Sequence, residues 1–437
     1  MQKLHPMRNI VIQQKNGVPV GIYSACTASD LVIEAVMERA MKDNDVVLIE
    51  ATANQVNQYG GYTGMKPADY RDFVYSLADK TGFPKDKIIL GGDHLGPLTW
   101  KGLPAARAME ESKELIRQFV LAGFTKIHID TSMHLGDDNL NEKLDTMVIA
   151  ERGALLAEVA EAAYVKLKAI DPDALHPVYV IGSEVPIPGG SQEEEDGVQV
   201  TRTSDFEETV GIFKEAFGRR RLETAWENVI AVVVQPGVEF GDESIHEYNR
   251  QAASELCNSL RKYSSLIFEG HSTDYQTPKA FREMVEDGIA ILKVGPALTF
   301  ALREALFAMA MIENELFANA DDIRPSGFID VLEDTMLKSP DNWKKHYHGN
   351  EDKLRLARKY SFSDRCRYYL PVPEVKEAVA AMIRNLNTVK IPLTLLSQYM
   401  PIQYTKVRNG QLDNNPESLI KDRVVNCIDE YIYGCKQ

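Results

Sequence analysis

The sequence predicts a (β/α)8 TIM barrel followed by a helical extension. Apolar runs of strand length alternate along the chain with helical patterns. Most of these runs do not alternate apolar with polar residues, as strands exposed on one face would. Polar residues directly follow these runs. The eight candidate strands are Pro19 to Tyr23, Val46 to Glu50, Ile88 to Leu90, Lys126 to Asp130, Val178 to Ile181, Val229 to Val234, Leu266 to Phe268 and Ile291 to Val294. Buried strands that alternate with helices indicate a parallel barrel, whose active site lies at the carboxyl ends of its strands.

Helical patterns fill the gaps between these runs. Ser29 is a suitable N-cap for the first helix, and Pro67 suits the first turn of the second. The predicted helices include Asp30 to Met41, Ala68 to Ala78, Ala105 to Ala122, Met147 to Ile170 and Ala297 to Leu316. No strand–helix repeat follows, so we predict a barrel over residues 1–316 and a helical extension packed on it over residues 317–437.

Composition excludes several classes of function. The net charge of −15 argues against nucleic acid as the main partner. The sequence has neither an apolar leader nor a run of 18 apolar residues, so we expect a cytoplasmic protein without a membrane span. The five cysteines are far apart and form no C-x-x-C motif, which argues against a disulfide framework or a structural zinc finger. No dinucleotide fingerprint is present, so we expect no nucleotide cofactor.

The loop after the second strand is rich in amides, hydroxyls and glycines. It contains Asn54, Gln55 and Thr63. Each amide both donates and accepts hydrogen bonds, which suits a polyol, although the same residues also serve ordinary turns. We therefore expect these three side chains to bind a sugar at the barrel mouth.

Acids and imidazoles follow the third and fourth strands. Asp93 and His94 stand side by side, so the pair can shuttle a proton and hold a metal, or form a structural hydrogen bond. His128 and Asp130 share one face of the next strand. We expect Asp130 and Ser132 to contact substrate. His128 is either a hydrogen-bonded core residue or part of the site.

Further polar residues follow the fifth and sixth strands. Glu184 stands where a metal ligand or general base would stand, before a loop that carries Glu193 to Asp196. That acidic loop either closes over substrate or is simply solvated. Gln235 and Glu239 follow the sixth strand, and we expect the first to bind substrate and the second to bind metal.

The last two strands complete the predicted site. Glu269 and His271 share a face and are candidate metal ligands. The candidate substrate contacts are Ser272, Asp274 and Gly295, because backbone N–H groups at the start of the last barrel helix can hold a phosphate. Lys293 is either a Schiff-base lysine or part of a buried ion pair, and its position before the strand end favours the ion pair.

These histidines and carboxylates are therefore predicted to lie together in one site at the barrel mouth. Such a set can bind zinc, or nickel or manganese, with an open coordination position. A divalent ion there polarises a carbonyl and stabilises an enediolate, as needed to break or form a C–C bond beside a ketone.

Long motifs give the chain a family resemblance. They are Glu50 to Val56, Tyr62 to Gly64, Gly91 to Pro97, Glu184 to Gly190, Val234 to Phe240, His271 to Thr277, Leu292 to Thr299 and Tyr360 to Arg365. The sequence resembles the GatZ/KbaZ family, known as accessory subunits of class II tagatose-1,6-bisphosphate aldolase. Some relatives are described as ketohexose or ketohexose-phosphate 4-epimerases.

The resemblance extends to the catalytic class II aldolases. It implies that Asp93 is the proton-transfer acid and His94 a zinc ligand. The aldolases carry further zinc-binding histidines where this chain has Glu239 and Glu269, with His271 two residues on. The three-histidine site of the aldolases is therefore not reproduced in the sequence.

Two functions follow from these residues and this resemblance. The first is a metal-dependent 4-epimerase for tagatose and fructose or their 6-phosphates, working by retro-aldol cleavage. The alternative is a non-catalytic subunit that stabilises a class II aldolase catalytic subunit; an independent aldolase is disfavoured by the missing histidines. We also expect a homo-oligomer. Arg365 and Arg367 of the extension either cover a substrate phosphate or form surface ion pairs.

Overall fold

The structure, a computed structural model, describes residues 4–182 and 198–436. The strands are β1 Ile22–Cys26, β2 Val47–Thr52, β3 Ile88–Leu95, β4 Lys126–Ile129, β5 Val178–Ile181, β6 Val229–Val234, β7 Glu239–Phe240, β8 Ile245–His246, β9 Ile267–Gly270 and β10 Ile289–Val294. Eight parallel strands close into a barrel in the order β1-β10-β9-β6-β5-β4-β3-β2, and β7 and β8 form a separate hairpin. The predicted TIM barrel is confirmed.

Six of the eight barrel strands differ in extent from the prediction, β5 and β6 agree with it, and the differences in β3 and β1 each have a local reason. β3 was predicted to end at Leu90, because two glycines follow it, but the strand continues through them to Leu95. Pairing to β2 continues to the partners Thr52 and Asp93, so the acid lies on the strand itself. β1 begins at Ile22 rather than Pro19, after Gly21, whose N–H donates to the Cys435 carbonyl.

Helices surround the barrel and continue beyond it. They are α1 Pro6–Lys15, α2 Asp30–Asp43, α3 Pro67–Thr81, α4 Ala105–Leu121, α5 Thr146–Ile170, α6 Thr203–Arg219, α7 Glu223–Glu227, α8 Arg250–Ser259, α9 Pro278–Glu286, α10 Pro296–Phe317, α11 Phe328–Lys338, α12 Glu351–Tyr360, α13 Pro373–Asn387, α14 Leu393–Tyr399, α15 Pro401–Arg408 and α16 Pro416–Cys435. Helix α1 was not predicted; its Met7 and Val11 pack with apolar residues of the barrel strands. No helix among the described residues is both long and apolar enough to cross a bilayer.

The last helix of the chain belongs to the outer layer of the barrel. Helix α16 packs against α2, α9, α10 and strand β1. Tyr431 on this helix donates its hydroxyl to the Thr273 carbonyl at 3.0 Å. Its Gly434 lies so close to α9 that a Cβ there would stand 2.4 Å from Phe281 Cβ. The C-terminal helices and the barrel therefore share one core, and the division of the chain at residue 316 stays a proposal.

We predict that Gly434→Ala lowers the free energy of unfolding by about 1–3 kcal/mol, because overpacking forces α16 away from α9. Urea unfolding followed by circular dichroism measures the change. Gly211→Ala in α6 is the matched control, since a Cβ there meets nothing within 4 Å. It should be neutral or stabilising by up to about 1 kcal/mol. Equal stability of the two variants would contradict the close α16–α9 contact.

Candidate active site and metal centre

A network of buried charges crosses the barrel interior. The Lys126 ammonium lies 2.8 Å from Glu50 Oε1 and 2.9 Å from Glu269 Oε1. The Lys293 ammonium contacts the other Glu50 oxygen and lies 2.9 Å from Asp93 Oδ2. Buried charges are tolerated only when they are paired, so each lysine fixes the carboxylates beside it. Lys293 is thus part of a buried ion pair, as the sequence favoured.

Gly91 makes room for this network. In the strand register Glu50 is aligned with Gly91 and Gly91 with Lys126. The Glu50 side chain therefore reaches Lys126 across β3, and a Cβ on Gly91 would stand only 2.4 Å from Glu50 Oε1. A glycine at this position is required by the ion pair.

Three imidazoles and one carboxylate meet above the network. Ligand atoms of Asp93, His94, His128 and His271 all lie within 4.8 Å of one another, and all four residues are buried. The ring centroids of the histidines are 4.9–5.3 Å apart. His94 and His271 were predicted metal ligands, and the structure places Asp93 between them. His128, left open by the sequence, completes the cluster.

Hydrogen bonds orient two of these rings as in metal sites. His94 Nδ1 lies 2.8 Å from Asp130 Oδ2, which leaves Nε2 facing the cluster, and Ser132 Oγ donates to the other Asp130 oxygen at 2.8 Å. A carboxylate on the outer nitrogen is the usual support of a metal-binding histidine. His128 Nε2 lies 2.9 Å from the Gly182 carbonyl and so carries hydrogen. Its Nδ1 accepts the His94 N–H at 3.2 Å and also faces Asp93 Oδ1 at 2.9 Å.

The contact between His128 Nδ1 and Asp93 Oδ1 is compatible with a bound cation. A cation beside Nδ1 and Asp93 Oδ1 would stabilise these two facing atoms, and a proton on Nδ1 donated to Asp93 would do the same. Four carboxylates face two ammonium groups in this network, so the carboxylates are in excess by two when His94 is neutral. The carboxylates are Glu50, Asp93, Asp130 and Glu269, and the ammonium groups are Lys126 and Lys293. A divalent ion held by the histidines and Asp93 would offset that difference.

The protonation states of His271 and Asp93 suit ligation, whereas, against the effect of burial, the Asp93 and Asp130 carboxylates raise the pKa of His94 above its ordinary value, so a metal ion there would have to displace a proton. Burial lowers the pKa of His271 to about 4 despite the Glu269 carboxylate beside it, so the ring is neutral at pH 7. Burial acts to raise the pKa of Asp93, but the positive charges of His94 and Lys293 hold that pKa well below its usual value. Asp93 is therefore a carboxylate at neutral pH.

The cluster opens into a cavity of about 990 Å³. Asp93, His94 and His271 line it, together with Asn54, Gln55, Thr63 and Ser272. Within the amide loop, Thr63 Oγ1 donates to the Gln55 carbonyl at 2.7 Å and Asn54 Oδ1 accepts from Thr99 at 3.1 Å. The predicted sugar loop and the histidines thus face the same space.

Other predicted site residues are used inside the protein. Gln235 Oε1 accepts the N–H groups of Gly237 and Val238 at 2.8 and 2.9 Å, which fixes the turn after β6. Asp274 Oδ1 accepts the Gly295 N–H at 3.0 Å. Glu239 lies on β7, where its Oε1 accepts the N–H of Phe240 at 3.0 Å.

Two predicted metal ligands, Glu239 and Glu269, lie outside the four-residue cluster found among the described residues. Glu269 Oε1 is nevertheless 2.9 Å from His271 Nε2. Glu184 lies outside the described residues. The roles of all these side chains stay proposals.

Comparison with known proteins places the chain in a family. Residues 7–436 match the family described as D-tagatose-1,6-bisphosphate aldolase subunit GatZ/KbaZ-like. This chain belongs to the GatZ/KbaZ-like family. The GatZ/KbaZ-like chain is 47% identical over 429 residues to proteins named D-tagatose-1,6-bisphosphate aldolase subunit GatZ from Salmonella dublin and Klebsiella pneumoniae, with 98% of this chain and 99% of each relative covered.

A solved structure agrees with this assignment. A crystal structure from Sinorhizobium meliloti 1021, titled a probable tagatose 6 phosphate kinase, superposes on the GatZ/KbaZ-like chain with a TM-score of 0.86. The two are 44% identical, and 95% of this chain and 100% of that chain are covered. The family resemblance found in the motifs is confirmed.

We predict that Lys126→Met destabilises this GatZ/KbaZ-like chain by roughly 3–5 kcal/mol, because two buried carboxylates lose their shared cation. Chemical unfolding at pH 7 measures the loss. Lys262→Met is the control, since Lys262 is 65% exposed and forms only a surface ion pair with Glu207. That change should leave the free energy of unfolding nearly unchanged, because a solvent-exposed ion pair is screened by water and salt. A similarly small loss for Lys126→Met would show that the interior network is not needed for folding.

Proposed function

We propose that the chain is a metal-dependent ketohexose 4-epimerase that interconverts tagatose and fructose or their 6-phosphates. The observation that carries the proposal is the buried Asp93, His94, His128 and His271 cluster, which opens into the same cavity as the amide loop. A divalent ion bound there, zinc or alternatively nickel or manganese, would polarise the substrate ketone and stabilise an enediolate.

The chain's own residues would move protons and hold hydroxyl groups. Asp93, as a carboxylate, accepts the proton of the C4 hydroxyl while the C3–C4 bond breaks and its electrons pass to the ketone as an enediolate. The aldehyde rotates, the bond re-forms on its other face, and the proton returns to the C4 oxygen. Glu184 is the second candidate for this proton transfer. This series of reaction steps is redox-neutral and requires no nucleotide cofactor.

Substrate orientation is assigned to the rim of the cavity. The amide and hydroxyl groups of Asn54, Gln55 and Thr63 suit sugar hydroxyls because they donate and accept hydrogen bonds. Ser272 and Asp274 also line the cavity. The Lys293 ammonium, 2.9 Å from Asp93, keeps that acid ionised and fixed in position.

The names of the relatives support a second function. Proteins 47% identical over nearly the whole chain are named as subunits of D-tagatose-1,6-bisphosphate aldolase. The chain would then bind and stabilise a catalytic class II aldolase subunit, and the histidine cluster would serve folding or ligand binding only. These names favour the subunit more directly than the epimerase, whereas the geometry of the cluster favours chemistry in this chain.

Turnover by the purified chain separates the two functions. We expect the chain alone, supplied with zinc, nickel or manganese, to convert tagatose or fructose or their 6-phosphates into the C4 epimer, detected by chromatography. Asp93→Asn should lower kcat by about 10²–10⁴-fold, because it removes the proton acceptor and a proposed ligand of the metal ion. Asp413→Asn is the matched control, because Asp413 is exposed and lies in the C-terminal extension.

No epimer with any metal, from folded protein, would contradict the epimerase. The same preparation is then mixed with a class II tagatose-bisphosphate aldolase. A rise in aldolase activity or half-life that depends on this chain, and that Asp93→Asn leaves unchanged, would support the subunit function.

A further inference from the structure

The start of α10 does not offer a free anion site. Its N–H groups at Gly295 and Ala297 both donate to Asp274 Oδ1, at 3.0 and 2.8 Å. A substrate phosphate at this position would have to displace the Asp274 carboxylate. Cations elsewhere on the cavity wall are therefore better placed to receive a phosphate.

Arg365 is a buried cation that forms no ion pair within the described part of the chain. It is 5% exposed and lines the cavity, and its Nη1 donates to the Asn342 carbonyl at 3.1 Å. Among residues 4–182 and 198–436 its Nε is buried without a hydrogen-bond partner and its guanidinium forms no ion pair, although the charge of Asp242 acts on it. An unpaired buried charge is costly, so the position fits an anionic ligand.

Arg367 presents a second guanidinium on the same turn. Its Nη1 donates to the Asp364 carbonyl at 2.9 Å and its Nη2 to the Tyr368 hydroxyl at 2.9 Å. In the described part of the chain it too forms no ion pair, although the Asp364 charge acts on it. Its Nη1 donates to the carbonyls of Ser363 and Asp364, so Nε and the second hydrogen of Nη2 are the donors left for a phosphate.

The turn is anchored to the barrel on two sides. Asp364 contacts the Thr299 hydroxyl of α10, and the Tyr368 ring packs edge-on against Tyr62 of the amide loop with centroids 5.1 Å apart. Arg365 and Arg367 therefore stand at a fixed place on the wall of the cavity that contains His94 and His271.

We propose that Arg365 and Arg367 form a phosphate subsite, through which the C-terminal extension selects a phosphorylated ketohexose over the free sugar. The sugar part of this statement rests on the proposed function, whereas the anion subsite stands on its own geometry. The surface ion pairs considered for these arginines are absent from the described residues.

Calorimetric titration of the full chain with inorganic phosphate, fructose 6-phosphate and fructose tests the subsite. We expect Arg365→Met to weaken phosphate and fructose 6-phosphate binding about 10–100-fold, the worth of a charge-assisted hydrogen bond, and to leave fructose binding unchanged. Arg365→Lys should recover part of the loss. Arg384→Met is the control, since Arg384 is 63% exposed and pairs with Glu377. If Arg365→Met does not fold, the same titrations are made with Arg367→Met, since Arg367 is only half-buried.

The outcomes separate the subsite from the proposed function. Unchanged phosphate binding in folded Arg365→Met and Arg367→Met overturns the subsite. Equal kcat/KM for free and phosphorylated tagatose also overturns it, while the epimerase stands. Arginine-dependent phosphate binding without turnover of any sugar supports the subsite and overturns the epimerase.

Discussion

The site depends on charges buried inside the barrel. Lys126 and Lys293 sit on fully buried strands, and each ammonium contacts two carboxylates. Because an unpaired charge costs several kcal/mol in such surroundings, the lysines and carboxylates fix one another's positions. Lys293 holds Asp93, Asp93 lies against His128, and Glu269 lies against His271. The histidine cluster is thus positioned by the same ion pairs that fill the barrel.

This arrangement explains how one fold joins a rigid centre to an adaptable rim. The histidines and their carboxylates come from strand ends, where backbone pairing limits movement. The amide loop and the extension supply the outer wall, joined by the contact between Tyr62 and Tyr368. The extension is anchored below by α16, which packs into the outer helical layer beside β1. A substrate would therefore be held between the barrel and the extension, with its reacting carbons at the cluster.

Much of this could be predicted from the sequence. Apolar runs and helical periods place all eight barrel strands, and β5 and β6 agree residue by residue, because buried strands and amphipathic helices leave distinct patterns. The meeting of Asp93, His94 and His271 followed from barrel geometry. The place of His128 in the cluster could not be predicted, because the local sequence around an inward-facing histidine is the same in a core as in a site. Lys126 and Glu50 carried a usable signal, since charges within fully buried strands must pair. The burial of Arg365 and the place of α16 depend on contacts between distant segments, which no local pattern encodes.

The central claim is that the barrel mouth is a metal centre built from Asp93, His94, His128 and His271. Crystals of the full chain grown with zinc, measured on both sides of the zinc absorption edge, test it most directly. We expect one strong anomalous peak about 2.0–2.1 Å from the imidazole nitrogens, with Asp93 as a further ligand. Electron density that shows all four side chains ordered as described, with no anomalous peak among them, would contradict it.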